Sequence, residues 1–178
     1  MKIHEIITES RGENFKRWFG NSKVVDGAGR PLVMYHSTTS EFSVFRDNQR
    51  GVHFVSPSKT WVEKFYKNSD GSIADGANVM PVYVSAKNPF DFQNKNHVET
   101  LARAASLGSL AINQIKKGLW SRLEDRTTLA VIKRLGFDGL YVLEDGNKNL
   151  AIFNPTQIKS ATGNNGEFNP NNPDITKE

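Results

Sequence analysis

The chain has 178 residues, 23 Lys+Arg against 19 Asp+Glu and no cysteine. That length suits one ordinary globular unit. The missing cysteines exclude a disulfide scaffold, a Cys-ligated zinc site and a thiolate nucleophile, while His4, His36, His53 and His97 are too scattered to suggest a multi-histidine metal site. The net charge of +4 does not by itself point to nucleic acid or a membrane surface. No stretch approaches the roughly 20 apolar residues of a membrane span, so the reading is a soluble, cytoplasmic protein with no membrane partner and no metal.

In chain order, Ile3, Ile6 and Ile7 have helical spacing on a short amphipathic segment, and Glu13 to Phe19 reads as a second short helix stopped by Gly20. The turn at Asp26-Gly27-Ala28-Gly29 predicts a small hairpin. Strands are expected at Leu32–His36 and Gly51–Val55. A helix then starts after Ser56-Pro57-Ser58, with Trp61/Phe65 and Val62/Tyr66 as i,i+4 pairs. Val79–Ser85 is a strand in which Pro81 suggests an edge or a bulge. A helical region from about Val98 to Leu135 is broken near Gly108 and Gly118, and strands return at Leu140–Leu143, Leu150–Phe153 and around Ile158. Strands in pairs with helices between them argue an α+β fold. Residues 162–174 hold five Asn, two Gly and two Pro, and read as an extended tail laid over the surface through Phe168 and Ile175.

No Gly-rich phosphate loop, G-x-S-x-G elbow or H-E-x-x-H helix is present. The chemistry-bearing piece is Tyr35-His36-Ser37-Thr38-Thr39, where a strand ends in a histidine followed by three hydroxyls. Such a histidine can exchange hydrogen bonds with a sugar hydroxyl, and the turn beyond it offers free backbone groups. A partly buried histidine satisfied by a nearby carbonyl is the ordinary alternative.

Five blocks in order carry a wider resemblance. They are Phe15–Gly20 with Asn21–Thr39, GVHFVSPSKTWVEKFY (Gly51–Tyr66), PVYVSAKNPFDF (Pro81–Phe92), LGFDGLYV (Leu135–Val142) and FNPTQIKSATGNNGEFNPNNPDI (Phe153–Ile175). The chain resembles the ADP-ribosyltransferase domains of phage and mobile-element polyvalent proteins. The resemblance implies a split β core of two small, mostly antiparallel sheets with surrounding helices. It takes in residues 1–178 as one domain, with a helical extension at 1–12 and a tail at 162–178.

It also implies NAD+ as co-substrate, with His36 on a ribose hydroxyl and Ser37, where relatives usually carry Gly, clamping the nicotinamide amide through its backbone. Thr38 would neighbour the ribose, Phe65 or Tyr66 would stack on nicotinamide, Phe54 would form cofactor wall, and His53 would give no more than wall contact. Arg50, with Arg46, is placed to meet the pyrophosphate. Counting six residues back from Pro155, the family's catalytic Glu falls on Asn149, and the nearest acids are Glu144 and Asp145 beyond a Gly146-Asn147-Lys148 turn. Asn gives no charge stabilisation to a developing sugar cation. Two readings follow: a phage-encoded mono-ADP-ribosyltransferase acting as a monomer in the host cytoplasm on a protein or nucleic-acid target, or a catalytically impaired NAD- or ADP-ribose-binding or interaction module. The mixture of Lys116, Lys117, Arg122, Arg126, Lys133 and Arg134 with Glu124 and Asp125 reads as a solvated helix face.

Overall fold

A computed structural model describes residues 12–46, 50–68, 70–72 and 74–176. The segment predicted over residues 1–12 lies outside them but for Gly12. Helix α1 covers residues 12–19 and ends where Gly20 takes φ +50°. The strands are β1 (Met34–Thr38), β2 (His53–Val55), β3 (Asn78–Val84), β4 (Pro89–Phe90), β5 (Gly139–Glu144), β6 (Asn147–Ile152) and β7 (Ile158–Ser160). Helix α2 (Lys59–Glu63) runs into a 3₁₀ turn at Lys64–Tyr66, and α3 (Lys95–Ala104), α4 (Ser109–Lys116), α5 (Trp120–Leu123) and α6 (Arg126–Arg134) form the helical middle.

The strands divide into a three-stranded sheet, β1-β3-β7, and a four-stranded sheet, β2-β6-β5-β4. Every pairing is antiparallel except β4–β5. The fold is therefore α+β with two small, mostly antiparallel sheets. Tyr35 and Ser56 exchange both backbone hydrogen bonds, at 2.8 and 2.9 Å, and stitch β1 of one sheet to the end of β2 of the other.

Strand β6 shows how the layers are made. Successive side chains point to opposite faces. Ala151 packs with Leu101, Ile115, Leu123 and Ile132 under the helices, whereas Leu150 and Ile152 pack with Met34, Val82 and Ile158 between the sheets. Each such aliphatic burial contributes about 1.5–3 kcal/mol. Asn149 shares the helix-facing side with Ala151 and is itself completely buried.

Pro81 corrects an expectation, because β3 is the middle strand of its sheet rather than an edge. Pro81 opposes Tyr35, whose own backbone groups turn away to Ser56, so nothing on β1 needs a proline N–H. On the other side Pro81 lies just past the last β3–β7 ladder pair, where its carbonyl accepts from Ala161 N–H at 2.9 Å. The missing donor thus costs one bond at a ladder end.

The breaks in the helical middle fall at the glycines. Gly108 is the N-cap of α4, and Gly118 follows its C-terminus with φ +67°. A Cβ on Gly118 would sit 2.8 Å from the Phe92 ring, so only glycine lets the chain pass there and present α5 to the sheet. The following Leu119 bridges Leu143, and Gly118 O accepts from Leu143 N–H at 2.9 Å.

The polar C-terminal stretch is held by particular groups. Ile175 is buried in the inter-sheet core, and Phe168 packs edge-on to Phe15 at 5.0 Å. The buried Lys159 donates from Nζ to the carbonyls of Asn172 and Asp174 at 2.7 and 2.9 Å. Asp174 in turn accepts from Ser43 Oγ at 3.0 Å, and Ile175 N–H donates to Ser43 O at 2.7 Å. The tail therefore clips the loop after β1.

Candidate nucleotide cleft

The site is assembled where the two sheets meet. Strand β1 buries Met34 and leaves His36 part-buried. The His36 ring lies edge-on to Phe45 at 4.8 Å and to Phe42 at 5.9 Å. Its Nδ1 lies 2.7 Å from the Phe54 carbonyl oxygen. A carbonyl only accepts, so Nδ1 carries the proton and, in the neutral ring, Nε2 is left as an acceptor. Burial lowers the His36 pKa below its ordinary value, and the bond to Phe54 offsets part of that. The ring is accordingly neutral near pH 7.

Beside His36 a cavity of about 320 Å³ is lined by Ser37, Phe54, Trp61, Phe65, Tyr66, Trp120, Arg50 and Glu144. A second cavity of about 900 Å³ shares His36, Arg50 and Phe54 with it and adds Arg46, Phe42, Phe45 and His53. His36 thus stands between two adjoining recesses of one cleft. Thr38 lines neither: its hydroxyl donates to Ser40 O at 3.0 Å and accepts Ser40 N–H at 3.1 Å, closing a local turn.

The aromatic pair on α2 and the turn after it divide their work. Ser58 Oγ caps α2 by accepting Trp61 N–H at 3.2 Å. Trp61 and Val62 are buried, but the helix tightens into the 3₁₀ turn before Phe65. Phe65 is consequently 60% exposed, its ring T-shaped to Trp61 at 4.7 Å, and it faces the cavity rather than the core.

The β5–β6 hairpin corrects the expected turn between Glu144 and Asn149. Its turn is the two-residue Asp145-Gly146, with φ +47° and +78°, and not Gly146-Asn147-Lys148. Positive φ at both turn residues marks the tight hairpin turn whose twist suits antiparallel strands. Glu144 pairs with Asn147 and Val142 with Asn149, so Glu144 and Asn149 are diagonal neighbours on one face. Asn149 Nδ2 donates to Glu144 Oε2 at 2.8 Å. Asn149 is buried behind the wall and Glu144 is the side chain that lines the cavity. The Asn149 Oδ1 atom is buried without a hydrogen-bond partner.

The structure therefore brings His36, Ser37, Phe54, Phe65, Tyr66 and Arg50 to one cleft, puts Asn149 one layer back and leaves Thr38 turned aside. Trp120 and the carboxylate of Glu144 complete the wall. Trp120 had no sequence signal, since its place depends on the Gly118 turn and on its edge-on contact with Phe54 at 4.4 Å. Glu144 had one, the Asp-Gly dipeptide that sets hairpin register. No group of three or more His, Asp or Glu able to hold a metal occurs among the described residues.

A split core of two small, mostly antiparallel sheets with helices around it is consistent with an ADP-ribosyltransferase-like fold. The sequence agrees: the chain belongs to the family described as ADP-ribosyltransferase in polyvalent proteins, whose model matches residues 26–168. Such transferases use NAD+ as substrate in general. Among solved structures, a crystal structure of an anti-CRISPR protein is similar at 12% identity and TM-score 0.47, over 71% of this chain and 91% of that one. None of the curated proteins matches the chain.

Proposed function

We propose that this domain transfers a single ADP-ribose from NAD+ to a macromolecular acceptor, with Glu144 as its carboxylate. The observation that carries the reading is the bond from the buried Asn149 to Glu144, which holds a carboxylate in the same cavity as His36 and Ser37. Asn149 takes the position of the expected acid, and the acid itself is supplied two register steps along the hairpin.

The residues fit the substrate. His36 Nε2 is free to accept from a ribose hydroxyl, because Nδ1 is committed to Phe54. The smaller recess has aromatic walls for nicotinamide in Phe65, Tyr66 and Trp120. The larger recess takes the remainder, with Arg46 and Arg50 near the pyrophosphate. As the nicotinamide–ribose bond breaks, positive charge grows on the sugar, and a fixed carboxylate beside it lowers the barrier. Glu144 also accepts the acceptor's proton. Among the described residues, Glu144 is the carboxylate of the smaller recess, and Glu41 lines the larger one.

The test is nicotinamide release from NAD+ by the wild-type chain and by Glu144→Gln and His36→Ala. Release that falls at least tenfold in both variants supports the proposal. NAD+ binding without any release by the wild-type chain, with candidate acceptors supplied, would instead make the cleft a binding module built around Asn149.

A further inference from the structure

We propose that a second cavity, across the β5–β6 hairpin from the nucleotide cleft, binds a small phosphomonoester with an apolar body. It measures about 570 Å³ and shares no lining residue with either recess of the cleft. Side chains alternate along the hairpin. Val142, Glu144 and Asn149 take one face, whereas Tyr141 and Lys148 take the other and line this cavity. The proposal therefore stands without the transferase reading.

The base of the cavity is apolar, made by the buried Val24 and Met34 with the half-buried Leu32. Its rim carries donors that the protein leaves unused. Lys23 N–H donates to Ala86 O at 2.7 Å, which sets Lys23 beside Lys87. Both lysines line the cavity and are exposed, and neither ammonium makes a hydrogen bond or ion pair among the described residues. His97 Nδ1 accepts Asp91 N–H at 3.0 Å, so Nε2 carries the proton of the neutral ring. Burial lowers the His97 pKa, with a smaller opposing pull from Asp91. Burial also pushes Tyr141 up to about 12, helped by Asp91 and Asp138, so its hydroxyl keeps a proton to donate. Asn94, the N-cap of the 10-residue α3, brings the positive end of that helix to the same wall.

The acids nearby are already engaged. Asp91 is the carboxylate that lines the cavity; its Oδ2 binds Lys148 Nζ at 2.8 Å and its Oδ1 accepts Gln93 N–H at 3.0 Å. Lys148 also reaches Gln93 Oε1 at 2.8 Å and lies 4.7 Å from the Tyr141 ring centre, so it is held in place. Asp138 lines a neighbouring recess and accepts the Lys87 and Asn88 N–H groups at 2.6 and 3.0 Å. Asp26 pairs with Arg30, Glu99 pairs with Lys95, and Asp145 at the hairpin tip lines no part of the cavity.

Lys23 and Lys87 are thus two uncompensated charges above an apolar base. A phosphomonoester carries about −1.5 to −2 at pH 7 on three acceptor oxygens, which matches both lysines and the two neutral donors. A carboxylate or a phosphodiester brings a single charge and leaves one ammonium unanswered.

The experiment is calorimetric titration of the full chain with phenyl phosphate, inorganic phosphate and benzoate. Expected is one site for phenyl phosphate, at least about tenfold tighter than for the other two, since phosphate lacks the apolar body and benzoate the second charge. Lys23→Gln/Lys87→Gln should weaken phenyl phosphate at least about tenfold, and Tyr141→Phe about threefold. Lys23→Arg/Lys87→Arg keeps both charges and should retain binding, which separates a lost contact from a disturbed fold. Arg46→Gln/Arg50→Gln, in the nucleotide cleft, should leave it unchanged. The proposal is overturned if phenyl phosphate does not bind, if it binds no more tightly than benzoate, or if the arginine pair rather than the lysine pair abolishes binding.

Discussion

Replacing Asn149 by Leu separates holding the carboxylate from holding the fold. The side chain is completely buried, donates one bond to Glu144 at 2.8 Å and leaves Oδ1 without a partner. A bond to a charged group contributes about 1.5–3 kcal/mol, and the part-exposed Glu144 can recover water, so the lower figure applies. Against that loss, Leu keeps the branched shape and removes an unmet buried acceptor that costs about 1–3 kcal/mol. The bulkier methyls return about 1 kcal/mol of crowding. The balance runs from about −1.5 to about +0.5 kcal/mol, a change of at most about 4 °C in Tm for a chain of this size. If the bond's 1.5 kcal/mol keeps Glu144 in its working position, turnover falls about tenfold. Thermal melting and nicotinamide release, read on the same preparation, give both numbers. A variant as active as wild type, or one that melts more than about 10 °C lower, would show that Asn149 serves the core and not the carboxylate.

Three further outcomes follow from the same geometry. His36 and His97 are both held below their ordinary pKa by burial, so the unfolded chain takes up protons first as pH falls below 6.5. Stability is therefore complete above that value and declines below it, by up to about 1.4 kcal/mol per pH unit for His36 while the folded ring stays neutral; a His36→Gln chain whose melting profile between pH 7.5 and 5.5 matches wild type would contradict this. Gly118→Ala puts a methyl at φ +67° and 2.8 Å from Phe92, and should lower Tm by several degrees and quench the native Trp120 environment seen in fluorescence. Lys159→Met removes the donor to Asn172 and Asp174, so limited proteolysis should cut within residues 162–172 much faster than in wild type; equal cutting rates would mean that Phe168, Ile175 and the Ser43 bonds secure the tail without it.

The parts legible in the sequence are those set by local pattern. Short apolar runs gave β1 and β5, shifted by a residue or two, and the glycines at 108 and 118 marked the helix breaks. His36 was found because a histidine next to hydroxyls after an apolar run is a local feature, although β1 runs on to Thr38 and puts it mid-strand. Pairing partners were not legible. The parallel β4–β5 pair involves only Pro89 and Phe90, too short to show a period, and Pro81 looked like an edge because proline lacks an N–H, whereas in a middle strand that loss falls at the end of the β3–β7 ladder. Glu144 was named only as a nearby acid beyond the turn, because counting from Pro155 measures distance along one strand while its carboxylate reaches the cleft from the facing strand. Once the turn is placed at Asp145-Gly146, the two residues become neighbours by arithmetic alone.

The clip between Asp174 and Ser43 spans 131 residues of sequence. Ser43 lies in the loop that carries Phe42 and Phe45 against His36. That loop therefore acquires its fastening only after residues 174 and 175 have been made. Both sheets can pair and the helices can dock while the larger recess still lacks its outer wall. On the transferase reading, the larger recess is completed only by residues 174 and 175, so a chain truncated before residue 172 should fold its core and yet fail to bind NAD+.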